Sequence, residues 1–178
     1  MVTREAVCAH HDVPICKAWV VAERRSELKQ LIDAYKFEFM RLAAHTLVDL
    51  LDESLPLLPL NTVIVPIPTA PSHVRQRGYD HLQLLASLLS QRRELPVVRL
   101  LERSSTKTQH ELNRVERQNE AAKAFFVADG VSIEPTTPLL ILDDIITTGS
   151  TIRSAAQVLT DAGAKTVFVA ALAYQPLD

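Results

Sequence analysis

A chain of 178 residues, 47% hydrophobic and 22% charged, has the composition of one globular domain that can bury a core without disulfides, and it is too apolar to be disordered. A formal net charge of −2 excludes nucleic-acid binding driven by overall charge, leaving only a local basic patch. With 4 glycines and 5% aromatic residues, repeated β-hairpins and an aromatic base-stacking platform are not expected.

Residues 1–22 show no clean period and read as a leader, unstructured or strand-like. They hold Cys8 and Cys16, with His10 and His11 between them. The residue types suit zinc, but the spacing is not that of paired C-x-x-C knuckles, so zinc is not expected. The first residues mix charge signs without an apolar core, and no run nears the ~18 residues that span a bilayer. Neither a secretory signal nor a membrane anchor is expected, and the expected compartment is cytoplasmic.

Residues 26–51 carry helical spacing: Leu28, Leu31, Ile32 and Tyr35, then Phe39, Leu42, Ala43, Leu47, Leu50 and Leu51. Ser26 is a fair N-cap, and residues 36–39 mark a break between two helices. Pro56 and Pro59 close the block. Residues 62–67, rich in Val and Ile, read as a buried strand. Pro66, Pro68 and Pro71 then predict an extended loop running to Arg75, Gln76, Arg77 and Gly78. Leu82, Leu85, Ala86 and Leu89 form the stripe of a helix that stops before Pro96, and residues 97–101 read as a second strand.

Residues 103–119 are polar, rich in both charge signs and weakly periodic, so a solvated face is their plainest reading. Residues 124–127 turn apolar again, and residues 139–142 are the clearest buried strand. Ile152, Ala155, Ala156 and Leu159 form a helix ended by Gly163, and residues 166–172 make the last strand. Near-continuously apolar strands alternating with helices predict a parallel sheet covered on both faces, an α/β doubly wound fold.

The chemistry concentrates between residues 139 and 151. Asp143 and Asp144 stand at the carboxyl end of a buried strand, where open α/β sheets bind ligands. Thr147, Thr148, Gly149, Ser150 and Thr151 follow, just before a helix. Unpaired N–H groups and the positive end of the helix dipole meet there, as a phosphate site requires. Gly149 allows a positive φ and close approach of an anion. Carboxylates accept hydrogen bonds from sugar hydroxyls, so acids beside a phosphate loop suit a ribose 5-phosphate. An ordinary helix cap would explain one hydroxyl but not two adjacent acids. Neither G-x-x-x-x-G-K-[ST] nor G-x-G-x-x-G is present, which excludes a Walker loop and a dinucleotide fingerprint. No Ser-His or Cys-His constellation is visible. The six histidines are scattered; His10, His11 and His45 show no pairing with acids, and surface or capping roles are expected for each.

Residues 142–151 resemble the 5-phosphoribosyl 1-pyrophosphate (PRPP) motif of type I phosphoribosyltransferases. More narrowly, the chain resembles the ComF family of competence-associated phosphoribosyltransferase-like proteins. The further matches, in family order, are Val65, Pro66, Ile67 and Pro68; Arg77, Gly78 and Tyr79; Arg103, Thr106, Gln109, Leu112, Glu116, Arg117 and Asn119; then Ala124 and Phe125. The resemblance covers nearly everything from residue 28 to residue 172.

It implies a leader at 1–22, degenerate relative to the family's zinc ribbon, and a phosphoribosyltransferase domain at 23–178. Hood helices would span about 26–53 and a mobile flap about 103–119. Asp143 and Asp144 would hold the ribose hydroxyls, and the residues from Thr147 to Thr151 the 5-phosphate. Residues 68–77, with Pro68 and Thr69, would be the pyrophosphate loop. Arg77, followed by Gly78, would sit next to the leaving group; the plain alternative pairs Arg77 with Asp80 at the surface. Arg103, Lys107, Gln109, Arg114 and Arg117 would come from the flap, Lys107 with a catalytic role. Mg²⁺ would be the cofactor, bound through PRPP with Asp143 and Asp144 as its nearest carboxylates. The implied partners are PRPP, an acceptor the sequence does not name and single-stranded DNA, with a homodimer as the assembly and no membrane. An alternative to transfer is a PRPP- or nucleotide-sensing protein without turnover. Where the family commonly reads Arg-Gly-Phe-Asn-Gln, this chain has Arg77, Gly78, Tyr79, Asp80 and His81.

Overall fold

The computed structural model describes residues 4–5, 15–37, 40–104 and 124–176. Lys17–Glu23 (β2), Val63–Pro66 (β3), Leu139–Ile146 (β6) and Val167–Tyr174 (β7) form a parallel sheet, with Arg4–Glu5 (β1) antiparallel at one edge. The strand order is β1-β2-β7-β6-β3. Leu101–Arg103 (β4) and Phe125–Val127 (β5) make a separate antiparallel pair. Helices Ser26–Phe37 (α1), Ala43–Ser54 (α2), Pro71–Arg77 (α3), His81–Arg93 (α4) and Ser150–Asp161 (α5) complete the described elements. None is long and apolar enough to cross a membrane.

The order of strands fixes the layers. The chain crosses from β2 to β3 in one direction along the sheet and returns from β6 to β7 in the other. Right-handed crossovers therefore put the intervening helices on opposite faces. α2 and α4 pack together on one face, against β2, β7, β3 and β6, while α5 packs against β6, β7 and β5. β6 is sandwiched between them, and Leu139, Leu140, Ile141 and Leu142 are essentially inaccessible. Each such side chain contributes roughly 1.5–3 kcal/mol of burial. That is why this strand carries an unbroken apolar run up to the two acids.

Three expectations change. The leader does not stop at residue 22: β2 runs to Glu23 and pairs along β7 from Lys17↔Phe168 to Glu23↔Tyr174. Trp19 and Val21 enter the core, with the Trp19 ring 5.5 Å from that of Phe168. Residues 97–101 are not a strand. Val97 makes one parallel bridge to Ile64, after which the chain turns and joins β4 at Leu101. Val98 and Arg99 face outward, and the run's pairing with β3 ends with two hydrogen bonds, from the Ile64 N–H to the Pro96 carbonyl at 2.8 Å and from the Val98 N–H to the Ile64 carbonyl at 3.0 Å. Residues 71–77 are not extended but form α3. Pro71 stands at its first turn, where the fixed φ suits a helix and the missing N–H has no partner to lose. Of the zinc-ligand types near the amino terminus, Cys16 is described and exposed; Cys8, His10 and His11 lie outside the described residues.

If residues 17–23 are part of the domain, Trp19→Ala should cost about 3–5 kcal/mol of stability, as for other buried aromatic truncations. Urea unfolding would measure this, and a loss below about 1 kcal/mol would return the strand to a dispensable leader.

Candidate phosphoribosyl site

The carboxyl ends of β3 and β6 and the start of α4 enclose a cleft of about 400 Å³ lined by Pro68, Thr69, Arg77, His81, Asp143, Asp144 and Thr151, with Lys36 and Phe37 overhanging from the end of α1. Residues far apart in the chain meet here because the parallel strands all end on one side. The Ile67 N–H donates to the Leu142 carbonyl at 2.9 Å, which holds the Pro68 loop against the strand bearing the acids. Arg103 Nε donates to the Pro68 carbonyl at 2.8 Å, tying the base of the expected flap to the same loop. Lys107, Gln109, Arg114 and Arg117 lie outside the described residues.

Asp143 and Asp144 are each 8% exposed, and their surroundings differ. Asp143 Oδ1 accepts the Asp144 N–H at 2.8 Å. Burial, reinforced by the neighbouring Asp144 charge, pushes the Asp143 carboxyl up to about 7. Burial acts in the same direction on Asp144, but the hydrogen bond from His81 and the Lys36 ammonium outweigh it and hold Asp144 well below the ordinary carboxylate range. His81 Nε2 lies 2.6 Å and Lys36 Nζ 2.7 Å from Asp144 Oδ2.

The phosphate loop has the expected form. Gly149 precedes α5 with φ 72°, a conformation that favours glycine. Thr148 Oγ1 accepts the Ser150 N–H at 3.3 Å and donates to Ser150 Oγ at 3.0 Å. Thr147, Thr148 and Ser150 are exposed at the lip of the cleft, and Thr151 reaches into it. Gly78 does not line the cleft; it ends α3 in the left-handed conformation, donating to the Val74 carbonyl at 2.8 Å.

Arg77 lines the cleft but is 7% exposed. Its Nη1 lies 2.8 Å from His81 Nδ1, and its guanidinium stands 5.3 Å from the centre of the Phe37 ring. It does not pair with Asp80, whose carboxylate caps α4 by accepting the Gln83 N–H at 3.1 Å. His81 corrects the reading of the histidines as surface or capping residues: it is buried and bonded to an acid of the site. Lys36 was also missed. The one sequence signal for His81 was its departure from the family's Asn-Gln pair; Lys36 gave none.

As a metal site the cleft is incomplete on its own. Among the described residues no three His, Cys, Asp or Glu side chains gather as ligands, and Asp144 spends Oδ2 on two nitrogen donors. Asp143 has a carboxylate oxygen without a protein donor among the described residues, so it fits a cation held mainly by a ligand's own oxygens.

Known proteins agree with this architecture. Competence protein ComFC of Streptococcus pneumoniae (strain ATCC BAA-255 / R6) is 30% identical over 140 residues, 79% of this chain and 60% of that protein. Competence protein F of Haemophilus influenzae (strain ATCC 51907 / DSM 11121 / KW20 / Rd) is 32% identical over 120 residues, 65% of this chain and 52% of that protein. This chain is similar to ComF competence proteins. It thus spans between half and two thirds of the length of these curated relatives, and no protein-family model matches it. The adenine phosphoribosyltransferase of Leishmania tarentolae superposes with a TM-score of 0.54 at 13% identity, covering 99% of this chain and 94% of that one. The chain therefore has a phosphoribosyltransferase-like fold.

The two acids make opposite pH predictions. Asp143 is raised, so the folded protein keeps a proton that the unfolded chain releases near the ordinary value of 3.8. Its contribution to stability falls as pH rises from about 4 to about 7. Asp144 is lowered, and the stability it adds at neutral pH is lost as pH falls through the carboxylate range. Asp143→Asn keeps the acceptor for the Asp144 N–H and removes the buried charge. Its advantage in thermal stability over wild type should grow from about pH 5 to about pH 8. An advantage that stays constant would contradict the raised Asp143.

Proposed function

We propose that the protein binds PRPP and, with Mg²⁺, transfers its phosphoribosyl group to a nitrogen nucleophile with release of pyrophosphate. The observation that carries this reading is the shared cleft of the acid pair and the Gly149 loop. Acceptors suited to sugar hydroxyls lie beside donors suited to a phosphate.

In this reading Thr147, Thr148, Gly149, Ser150 and Thr151 hold the 5-phosphate through N–H groups and hydroxyls. Asp143 and Asp144 accept the ribose hydroxyls, fixing the sugar between the phosphate loop and the Pro68–Thr69 loop. The C1–O bond then breaks through an oxocarbenium-like transition state, and charge builds on the departing pyrophosphate. Pro68 and Thr69 frame that side of the cleft, and Arg103 at the flap base adds positive charge. Mg²⁺ would be held by substrate oxygens with Asp143 as its protein carboxylate, and it supplies neutralisation of the pyrophosphate. A flap over residues 103–119 would close to exclude water, bringing Lys107, Arg114 and Arg117. No protein nucleophile is required.

A second reading is supported by the names of the relatives, both competence proteins. It is a PRPP- or nucleotide-sensing role in DNA uptake, including the handling of single-stranded DNA, without turnover.

Pyrophosphate release separates the two. PRPP with Mg²⁺ should release pyrophosphate when nucleobases and amines are screened as acceptors. PRPP binding without release from any acceptor would favour sensing. Gly149→Val should abolish binding of PRPP and of ribose 5-phosphate. A β-branched residue resists a φ of 72°, and a Cβ there would stand 3.2 Å from Arg153 Nη1. Unchanged affinity in calorimetry would remove the loop from the site.

A further inference from the structure

The floor of the cleft holds a chain of contacts that the transfer reading leaves unused. A guanidinium has hydrogens to give and no lone pair with which to receive one. Arg77 Nη1 lies over the His81 ring, 2.8 Å from Nδ1 and 3.4 Å from Nε2, so the tautomer is set on the other side: the ionised Asp144 carboxylate can only accept, and Nε2 donates its proton to Oδ2 at 2.6 Å. The backbone is held as well: the Tyr35 hydroxyl donates to the His81 carbonyl at 2.6 Å. Lys36 Nζ reaches the same carboxylate oxygen from α1 at 2.7 Å. Oδ2 of Asp144 is therefore filled from two sides, and Oδ1 has no protein donor among the described residues. Asp143 is arranged alike by the main chain, with Oδ1 taken by the Asp144 N–H and Oδ2 left over. Each acid presents a single acceptor oxygen.

We propose that His81 is a positioning residue. Packed under the Arg77 guanidinium and donating from Nε2, it locks the Asp144 carboxylate so that the acid pair offers two separate oxygens to the vicinal hydroxyls of a ribose phosphate. The proposal rests on the phosphoribosyl reading and adds the residue that sets the geometry of its sugar subsite. Glutamine, which the family pattern carries at this position, has an amide N–H to give to Asp144 and a carbonyl oxygen open to the neighbouring Arg77 and Thr69 donors. Leucine has neither.

The test is calorimetry of ribose 5-phosphate with wild type, His81→Leu, His81→Gln, Asp144→Asn and the double variant H81L/D144N. His81→Leu should bind about tenfold more weakly or worse, the usual effect of losing a hydrogen bond to a charged group. His81→Gln should recover affinity to within about threefold of wild type, because it restores the N–H to Asp144. In the Asp144→Asn background the His81→Leu change should add nothing, since it acts through Asp144. If wild type does not bind ribose 5-phosphate, the phosphoribosyl reading itself falls. If wild type binds and His81→Leu binds equally well, or loses the same factor with and without Asp144, the positioning role is overturned. A measurement that needs no folded variant stands beside these: ¹⁵N NMR of the wild-type histidine rings should find the His81 proton on Nε2. A proton on Nδ1 would overturn the proposal.

Discussion

The contact on which the site depends is the buried carboxylate of Asp144. It ties together three elements: β6, which carries it; α4, through His81; and α1, through Lys36. A carboxylate this deeply covered would be strongly disfavoured without such partners. Removing either donor therefore does more than weaken a bond, because it leaves an anion with incomplete compensation in a site that solvent barely reaches. This pair and the Tyr35 hydroxyl bond to the His81 carbonyl hold the end of α1 over the cleft, which places Lys36 and Phe37 where a ligand would meet them.

Asp143 is the counterpart. It has one backbone N–H for company and a charged neighbour, and burial pushes it up. An acid kept in so unfavourable a place weakens the fold at neutral pH, and its one backbone hydrogen bond with the Lys36 and Arg103 charges offsets only part of this. Unfavourable groups of this kind cluster at functional sites, where a ligand later supplies the missing partner. The fold provides the frame: a fully buried β6 between α5 and the α2–α4 layer fixes the acids, while the loops at its end remain open to solvent. A rigid strand bearing the acids next to an exposed glycine turn is how one short stretch of chain serves both the sugar and the phosphate.

How much of this was legible in the sequence follows from distance along the chain. The phosphate loop was readable because its strand, acids, glycine and helix start are contiguous, and each obeys a local rule. The alternation of apolar strands and helices gave the α/β class for the same reason. His81 and Lys36 were not readable, because their role is a contact with Asp144, in His81's case 63 residues away. No periodicity records such a contact. β2 was half-readable: its apolar residues, Ala18 to Ala22, are flanked by charge and become a strand by pairing with β7 at the far end of the chain. Residues 97–101 failed in the opposite sense, since the run meets β3 at Ile64 and then turns away, and pairing that stops after one bridge makes no strand. Pro68 lies in a loop as expected, but Pro71 misled because proline suits the first turn of a helix as well as a loop.

The most direct measurement of the central claim is a crystal structure of the protein with ribose 5-phosphate. The phosphate should sit on the N–H groups of the turn around Gly149, with the two ribose hydroxyls facing Oδ2 of Asp143 and Oδ1 of Asp144 while His81 and Lys36 keep Oδ2 of Asp144. A sugar phosphate bound elsewhere, or bound here with its hydroxyls turned away from both acids, would contradict it.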